Sequence, residues 1–153
     1  MSNKYIVFVC TGNTCRSPMA QALAQDIFKA NDIDIAAYSA GISAFGSSPA
    51  SKNALTIMVE EGLDLSGHKS QPISPKLLND AALILAMTAG HLTMVKSICQ
   101  NINAFTLMEY ANNAKKDITD PFGGDLDTYR ATAKQIKELL MLCVEKFAGL
   151  TEL

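Results

Sequence analysis

Apolar residues along the chain fall into short blocks separated by polar, glycine- and proline-containing turns, and the blocks alternate between two patterns. Tyr5-Ile6-Val7-Phe8-Val9 is a continuous apolar run rich in β-branched and aromatic residues, as in a strand buried on both faces. Met19 to Phe28 then places apolar residues at helical spacing, and Ser17-Pro18 is a good helix start, so a helix is predicted over 17–30. Asp34 to Ser39 predicts a second strand, followed by a small-residue loop over 40–48. Ser48-Pro49 reads as N-cap and first residue of an amphipathic helix carrying Ala54, Leu55, Ile57, Met58 and Leu63, with Gly62 ending it. Ser74-Pro75 starts a short helix through Leu77-Leu78, and Ala81 to Ala86 is a third buried strand. Thr88 can cap a helix carrying Leu92, Met94, Val95 and Ile98, and Ala104 to Leu107 predicts a fourth strand. Residues 112–127 are polar and form a loop, and a last helix is predicted from Leu126 to Phe147. This alternation argues an α/β fold: a four-stranded parallel sheet with helices on both faces, in one domain over 1–153.

Composition narrows the function without naming it. At 153 residues, with 48% hydrophobic and 18% charged content, the chain can bury a sizeable core. A formal net charge of -2 with no basic patch excludes a nucleic-acid partner, and no lysine run or long apolar span suggests a membrane. The polar start Met1-Ser2-Asn3-Lys4 precedes too short an apolar block for a secretory leader, so a cytoplasmic protein is expected, monomeric and with its four cysteines reduced. His68 and His91 are far apart and lack ligand-spaced partners, so neither a metal nor another cofactor is expected.

The chemistry lies between the first strand and the first helix, where ligands bind in open α/β sheets. Cys10-Thr11-Gly12-Asn13-Thr14-Cys15-Arg16-Ser17 forms that loop. Gly12 and Asn13 tolerate positive φ, and a loop bent there turns successive N–H groups inward as an anion nest. The helix N-terminus adds free N–H groups, and Arg16 a planar fork suited to two phosphate oxygens. Cys10, beside that arginine and helix end, is favoured as a thiolate, with Ser17 in place to donate to its sulfur. A thiolate in a cradle for a tetrahedral anion is a phosphoryl-transfer site. Of Asp117, Asp120, Asp125 and Asp127 in the late loop, Asp120 precedes Pro121, which holds its backbone extended. The four do not follow a calcium-loop pattern.

Cys10, five residues, then Arg16-Ser17 resembles the signature loop of the protein tyrosine phosphatases. Its place near the N-terminus, with Ser39-Ala40-Gly41, Leu85-Ala86-Met87-Thr88 and Asp120-Pro121-Phe122-Gly123-Gly124 following in order, resembles the low-molecular-weight branch over essentially the whole chain. The resemblance implies that Cys10 attacks phosphorus, that Arg16 and the loop amides hold the equatorial oxygens, and that Asp120 protonates the leaving group and later activates water. It also implies that Asn13 and Ser39 brace the loop, and that Cys15 can pair with Cys10 under oxidation, whereas a plain reading makes Cys15 a small buried residue. His68 is either a further brace or an incidental loop residue.

The loop CTGNTCRSP most resembles a bacterial subgroup that acts on phosphoarginine in proteins. Thr14 stands where the tyrosine-specific members carry a bulky aliphatic residue, and its hydroxyl offers a polar contact to a water or a guanidinium. Phe122, after the Asp-Pro, is expected as one apolar wall of the pocket and Phe45 as the other. The function expected is therefore a phosphatase for phosphoarginine in protein substrates, with phosphotyrosine as the alternative and dual activity open. An arsenate reductase would share the loop but needs further cysteines close together, while Cys99 and Cys143 lie in separate predicted helices. A phosphocysteine carrier would not need Asp120, and a module that only binds phosphorylated residues would not need Cys10, Arg16 and Asp120 together.

Overall fold

The computed structural model describes residues 4–152. Four strands, β1 (Tyr5–Cys10), β2 (Ala36–Gly41), β3 (Leu83–Ala86) and β4 (Ala104–Thr106), form one parallel sheet in the order β2-β1-β3-β4. Around it pack α1 (Arg16–Ala30), α2 (Lys52–Glu60), α3 (Pro75–Asn79), α4 (Ala89–Ile98), α5 (Leu107–Asn112), α6 (Leu126–Leu142) and α7 (Val144–Leu150). Alternation along β1 divides the core in two, because successive side chains of a strand point to opposite faces. Ile6, Phe8 and Cys10 face Met19, Leu23 and Phe28 of α1, Ile57 of α2 and Ile136 and Leu140 of α6. Val7 and Val9 face Leu78 of α3 and Val95 of α4. The expected four-stranded parallel sheet, clad on both faces, is the observed one.

Several boundaries differ from the sequence expectation, each for a local reason. The second strand runs over 36–41 rather than 34–39, because β1 continues to Cys10 and Cys10 pairs with Gly41. Gly41 is required there: a Cβ would stand 2.5 Å from Thr11 O and 3.0 Å from Asn13 N, so the strand end can lie against the loop only without a side chain. The second helix is capped by Ser51, whose Oγ accepts from Ala54 N, not by Ser48. Residues 48–50 stay outside the helix, with Ser48 bonded through both backbone groups to Ser70. Gly62, at φ +77°, does end α2. The fourth strand stops at Thr106, which caps α5 by accepting from Glu109 N; the Thr106-x-x-Glu109 spacing is the cap signal that the apolar pattern hid. The last helix is two, meeting at the buried Cys143 and letting Phe147 pack edge-on against Phe28 at 5.3 Å.

Candidate active site

The loop between β1 and α1 is built inside out. Its carbonyls are turned away from the centre and engaged by neighbours: Cys10 O by Ile42 N, Thr11 O by Ser43 N, Asn13 O by His68 Nε2 at 2.7 Å and Thr14 O by Ser51 N. In a trans peptide the following N–H points the opposite way, so the N–H groups of Thr11, Gly12, Thr14 and Cys15 face the concave side. Asn13 makes the bend, at φ 59° and fully buried. Gly12 does not adopt positive φ, contrary to expectation; a Cβ there would meet only Thr14 Oγ1, at 3.8 Å. Asn13 alone carries the left-handed position because its amide also ties the loop together. Its Nδ2 donates to Ser17 Oγ at 2.8 Å and its Oδ1 accepts from Gln71 N at 2.9 Å.

That amide orients Ser17. With Asn13 Nδ2 donating into the Ser17 oxygen, the hydroxyl hydrogen is free for Cys10 Sγ, 2.9 Å away. Both residues are buried, Cys10 at the end of β1 and Ser17 in the first turn of α1. Arg16 is 4% exposed. Its Nη1 donates to Ile118 O at 2.9 Å, and its Nη2 lies 3.5 Å from both Thr11 Oγ1 and Asp120 Oδ2. The late loop is fixed at the same place, since Ile118 N donates to Met87 O and Ala89 N to Asp117 Oδ1. Asp120 Oδ1 accepts from Phe122 N at 3.1 Å, which leaves Oδ2 facing the arginine.

Cys10, Thr11, Gly12, Thr14, Cys15, Arg16, Asp120 and Phe122 thus line one cavity of about 250 Å³. A larger groove of about 580 Å³, over Gln21, Lys29, Asp64 and His68, contains no cysteine and none of the residues of the β1–α1 loop. Phe122 stands at the mouth, 78% exposed, but Phe45 is 86% exposed and is not among the lining residues, so the second aromatic wall is not formed. Ser39 does not touch the loop either. Its Oγ donates to Gln21 Oε1, and only its carbonyl, through the Gln71 side chain, leads to the residue that binds Asn13. His68 is the direct brace instead.

Cys15 has a partner from a distant part of the chain. Tyr129 of α6, itself buried, places its hydroxyl 3.2 Å from Cys15 Sγ, and Ser51 Oγ lies 3.6 Å from that sulfur. Burial and the Cys15 contact raise the Tyr129 pKa above the usual phenol value. Cys99 and Cys143 pack into opposite core layers, and burial pushes the Cys143 thiol up to about 11. A relay of cysteines toward Cys10 therefore has no path through them. Among the described residues no cluster of His, Cys, Asp or Glu could hold a metal ion, and no helix is long and apolar enough to cross a membrane.

The profile of the low molecular weight phosphotyrosine protein phosphatases matches residues 5–148, and the chain belongs to that family. The protein-arginine-phosphatase of Bacillus subtilis is 39% identical over 137 residues, 88% of this chain and 91% of that one. The low molecular weight protein-tyrosine-phosphatase PtpB of Staphylococcus haemolyticus is 38% identical over 136 residues, covering 88% and 94%. A mutant of the YwlE arginine phosphatase with a phosphorylated active-site serine superposes with a TM-score of 0.89 at 37% identity, covering 93% of this chain and 94% of that one.

Proposed function

We propose that this protein removes the phosphoryl group from phosphoarginine side chains of proteins through a cysteinyl-phosphate intermediate. The observation that carries the reading is the convergence of Cys10, Arg16 and Asp120 on one cavity that Thr14, rather than an aliphatic residue, helps to line. Cys10 Sγ attacks phosphorus in line; the S–P bond forms as the P–N bond breaks, and Asp120 delivers a proton to the departing guanidinium nitrogen. Arg16 and the inward N–H groups of the loop hold the three equatorial oxygens, where the charge of the transition state resides. Water then attacks the phosphocysteine, Asp120 takes its proton, and the thiolate leaves with the Ser17 hydroxyl donating to it. Asn13 and His68 keep the loop in shape for both steps, and Ser39 supports them through Gln71.

Thr14 and Phe122 select the substrate. A guanidinium carries N–H donors around its whole edge, and a threonine hydroxyl can accept from one of them where an aliphatic side chain cannot. The arginine-phosphatase relatives support phosphoarginine as the substrate class. A phosphotyrosine substrate is the second reading, favoured by a tyrosine-phosphatase relative at nearly the same identity. Large exposed apolar side chains away from the cavity are divided among β2 (Tyr38), α2 (Val59), α4 (Met94, Ile98) and α6 (Leu126, Met141, Leu142), which suits a monomer, and a cytoplasmic place belongs to the same proposal.

The test is kcat/KM on a phosphoarginine peptide and a phosphotyrosine peptide side by side, with Cys10→Ser as the blank. Phosphoarginine is expected to lead by tenfold or more, and Thr14→Ile to reverse the order, since one lost polar contact costs about 1–3 kcal/mol. A wild-type preference for phosphotyrosine would make this chain a tyrosine phosphatase with a tolerated threonine.

A further inference from the structure

His91 is a buried polar group beside the cavity to which the chemistry above gives no task. It sits in the first turn of α4, 4% exposed, with Nε2 2.8 Å from Thr11 Oγ1. Its other ring nitrogen, Nδ1, is buried and has no hydrogen-bond partner among the described residues. Thr11 Oγ1 also takes the Arg16 Nη2 contact at 3.5 Å, and Thr11 lines the cavity.

Counting hydrogens decides what this group of three can do. A hydroxyl has one hydrogen and two lone pairs, and a guanidinium N–H can only donate, so Arg16 uses one lone pair of Thr11. A neutral imidazole carries its hydrogen on one nitrogen alone. On Nδ1 it would be a buried N–H without an acceptor, and the Thr11 hydrogen would be consumed by Nε2. On Nε2 it fills the second lone pair of Thr11, and the cost is an unpaired acceptor, which interiors tolerate better than an unpaired N–H. The Thr11 oxygen then has no lone pair to offer, and its hydrogen has no acceptor among the described residues. The ring stays neutral because burial and the Arg16 charge lower its pKa to about 4, outweighing Asp117 and Asp120.

We propose that His91, as its Nε2–H tautomer, makes the Thr11 side chain an obligate hydroxyl donor into the cavity, so that Thr11 joins Arg16 in holding an oxygen of a tetrahedral oxyanion. Thr11 would touch the ligand, and His91 is a positioning residue acting through it. The identity of that oxyanion as a substrate phosphoryl group rests on the phosphatase reading. The hydrogen-bond device does not, so it is tested with inorganic phosphate.

The experiment has two arms. Two-bond 1H–15N correlation spectra of the wild-type protein at neutral pH report the tautomer of each of the two histidines, with His91→Gln giving the assignment. Nε2–H at His91 is expected; Nδ1–H overturns the proposal. Calorimetric titration with phosphate is then run on wild type, Thr11→Val, His91→Leu, His91→Gln and the Thr11→Val/His91→Leu double variant, each first checked for cooperative melting. Each single loss should weaken phosphate roughly tenfold, as expected for a charge-assisted hydrogen bond. The double variant should be no worse than either single, and His91→Gln should recover part of the loss, because its amide can still donate to Thr11. Additive losses, or a His91→Leu protein that binds phosphate within twofold of wild type, would mean that His91 only packs. If His91→Leu does not fold, His91→Gln against Thr11→Val decides in the same way. Turnover of an aryl phosphate by the wild type is measured alongside. Phosphate binding without turnover would sink the phosphatase reading and leave this inference standing.

Discussion

Asn13→Ala is the substitution whose cost can be worked most fully from the structure. Three contributions add. Alanine at φ 59° is strained by about 1 kcal/mol relative to asparagine, which tolerates the left-handed region. The bond from Asn13 Nδ2 to Ser17 lies between two fully buried residues, and its loss costs about 1–2 kcal/mol. Gln71 N loses its acceptor as well, but Gln71 is exposed and water can replace it, so that loss is about 0.5 kcal/mol. The sum is about 3 kcal/mol, a large share of the roughly 5–15 kcal/mol that holds a domain of this kind folded. Urea unfolding followed by circular dichroism measures it, as a lower midpoint with unchanged m-value. Activity should fall further than stability explains, because the Ser17 hydroxyl is no longer turned toward Cys10. Asn13→Asp probes the orientation of Ser17 in a second way. It keeps the backbone tolerance and the acceptor for Gln71, yet its carboxylate would take the Ser17 hydrogen away from Cys10 and repel an anion. The buried carboxylate lowers the unfolding midpoint as well, so the mark of the lost orientation is a collapse of phosphate binding in protein that is still folded. An Asn13→Ala protein destabilised by less than about 1 kcal/mol, with kcat intact, would refute the idea that this one amide organises the loop.

Other expectations follow from the same geometry. Asp120→Asn should lower kcat on a peptide substrate by about 10²–10³-fold while sparing the first step with an aryl phosphate whose leaving group needs no proton, which burst kinetics can separate. Phe122→Ala, at an exposed position, should raise KM several-fold on peptides and leave the melting temperature unchanged. His91 couples stability to pH: its folded pKa is depressed to about 4, against 6.5 for the free group, so between those values the unfolded chain binds the extra proton. Stability is therefore full above about pH 6.5, declines as pH falls toward 4 by about 3 kcal/mol, and is level in this respect below that. Urea midpoints from pH 7 to 4, with His91→Gln as the flat comparison, check the sign; a wild-type slope equal to that of the variant would remove His91 as its source.

The centre of the site was legible in the sequence because it is local. Cys10, Asn13, Arg16 and Ser17 share one turn between a buried strand and a helix, so spacing alone places them together. The contacts that complete it are not local. Tyr129 reaches Cys15 across 114 positions, His91 reaches Thr11 across 80 and His68 reaches Asn13 across 55, and no pattern in the intervening residues announces these meetings. Phe45 failed as a wall because an aromatic in a small-residue loop says nothing about which way the loop faces. The break at Cys143 has no glycine or proline to mark it and follows from burying Phe147. Thr106-x-x-Glu109 was readable, and only the preceding apolar run masked it.

The central claim is that Cys10 receives the phosphoryl group. Rapid acid quench of the enzyme with a phosphorylated substrate, followed by peptide mass spectrometry, tests it directly, with Asp120→Asn used to slow hydrolysis of the intermediate. One phosphoryl group is expected on the peptide carrying Cys10, bound through sulfur and formed at the rate of the burst, with Cys10→Ser showing no burst. Turnover that persists in Cys10→Ser, or a phosphoryl group captured on any other residue of the wild type, would contradict it.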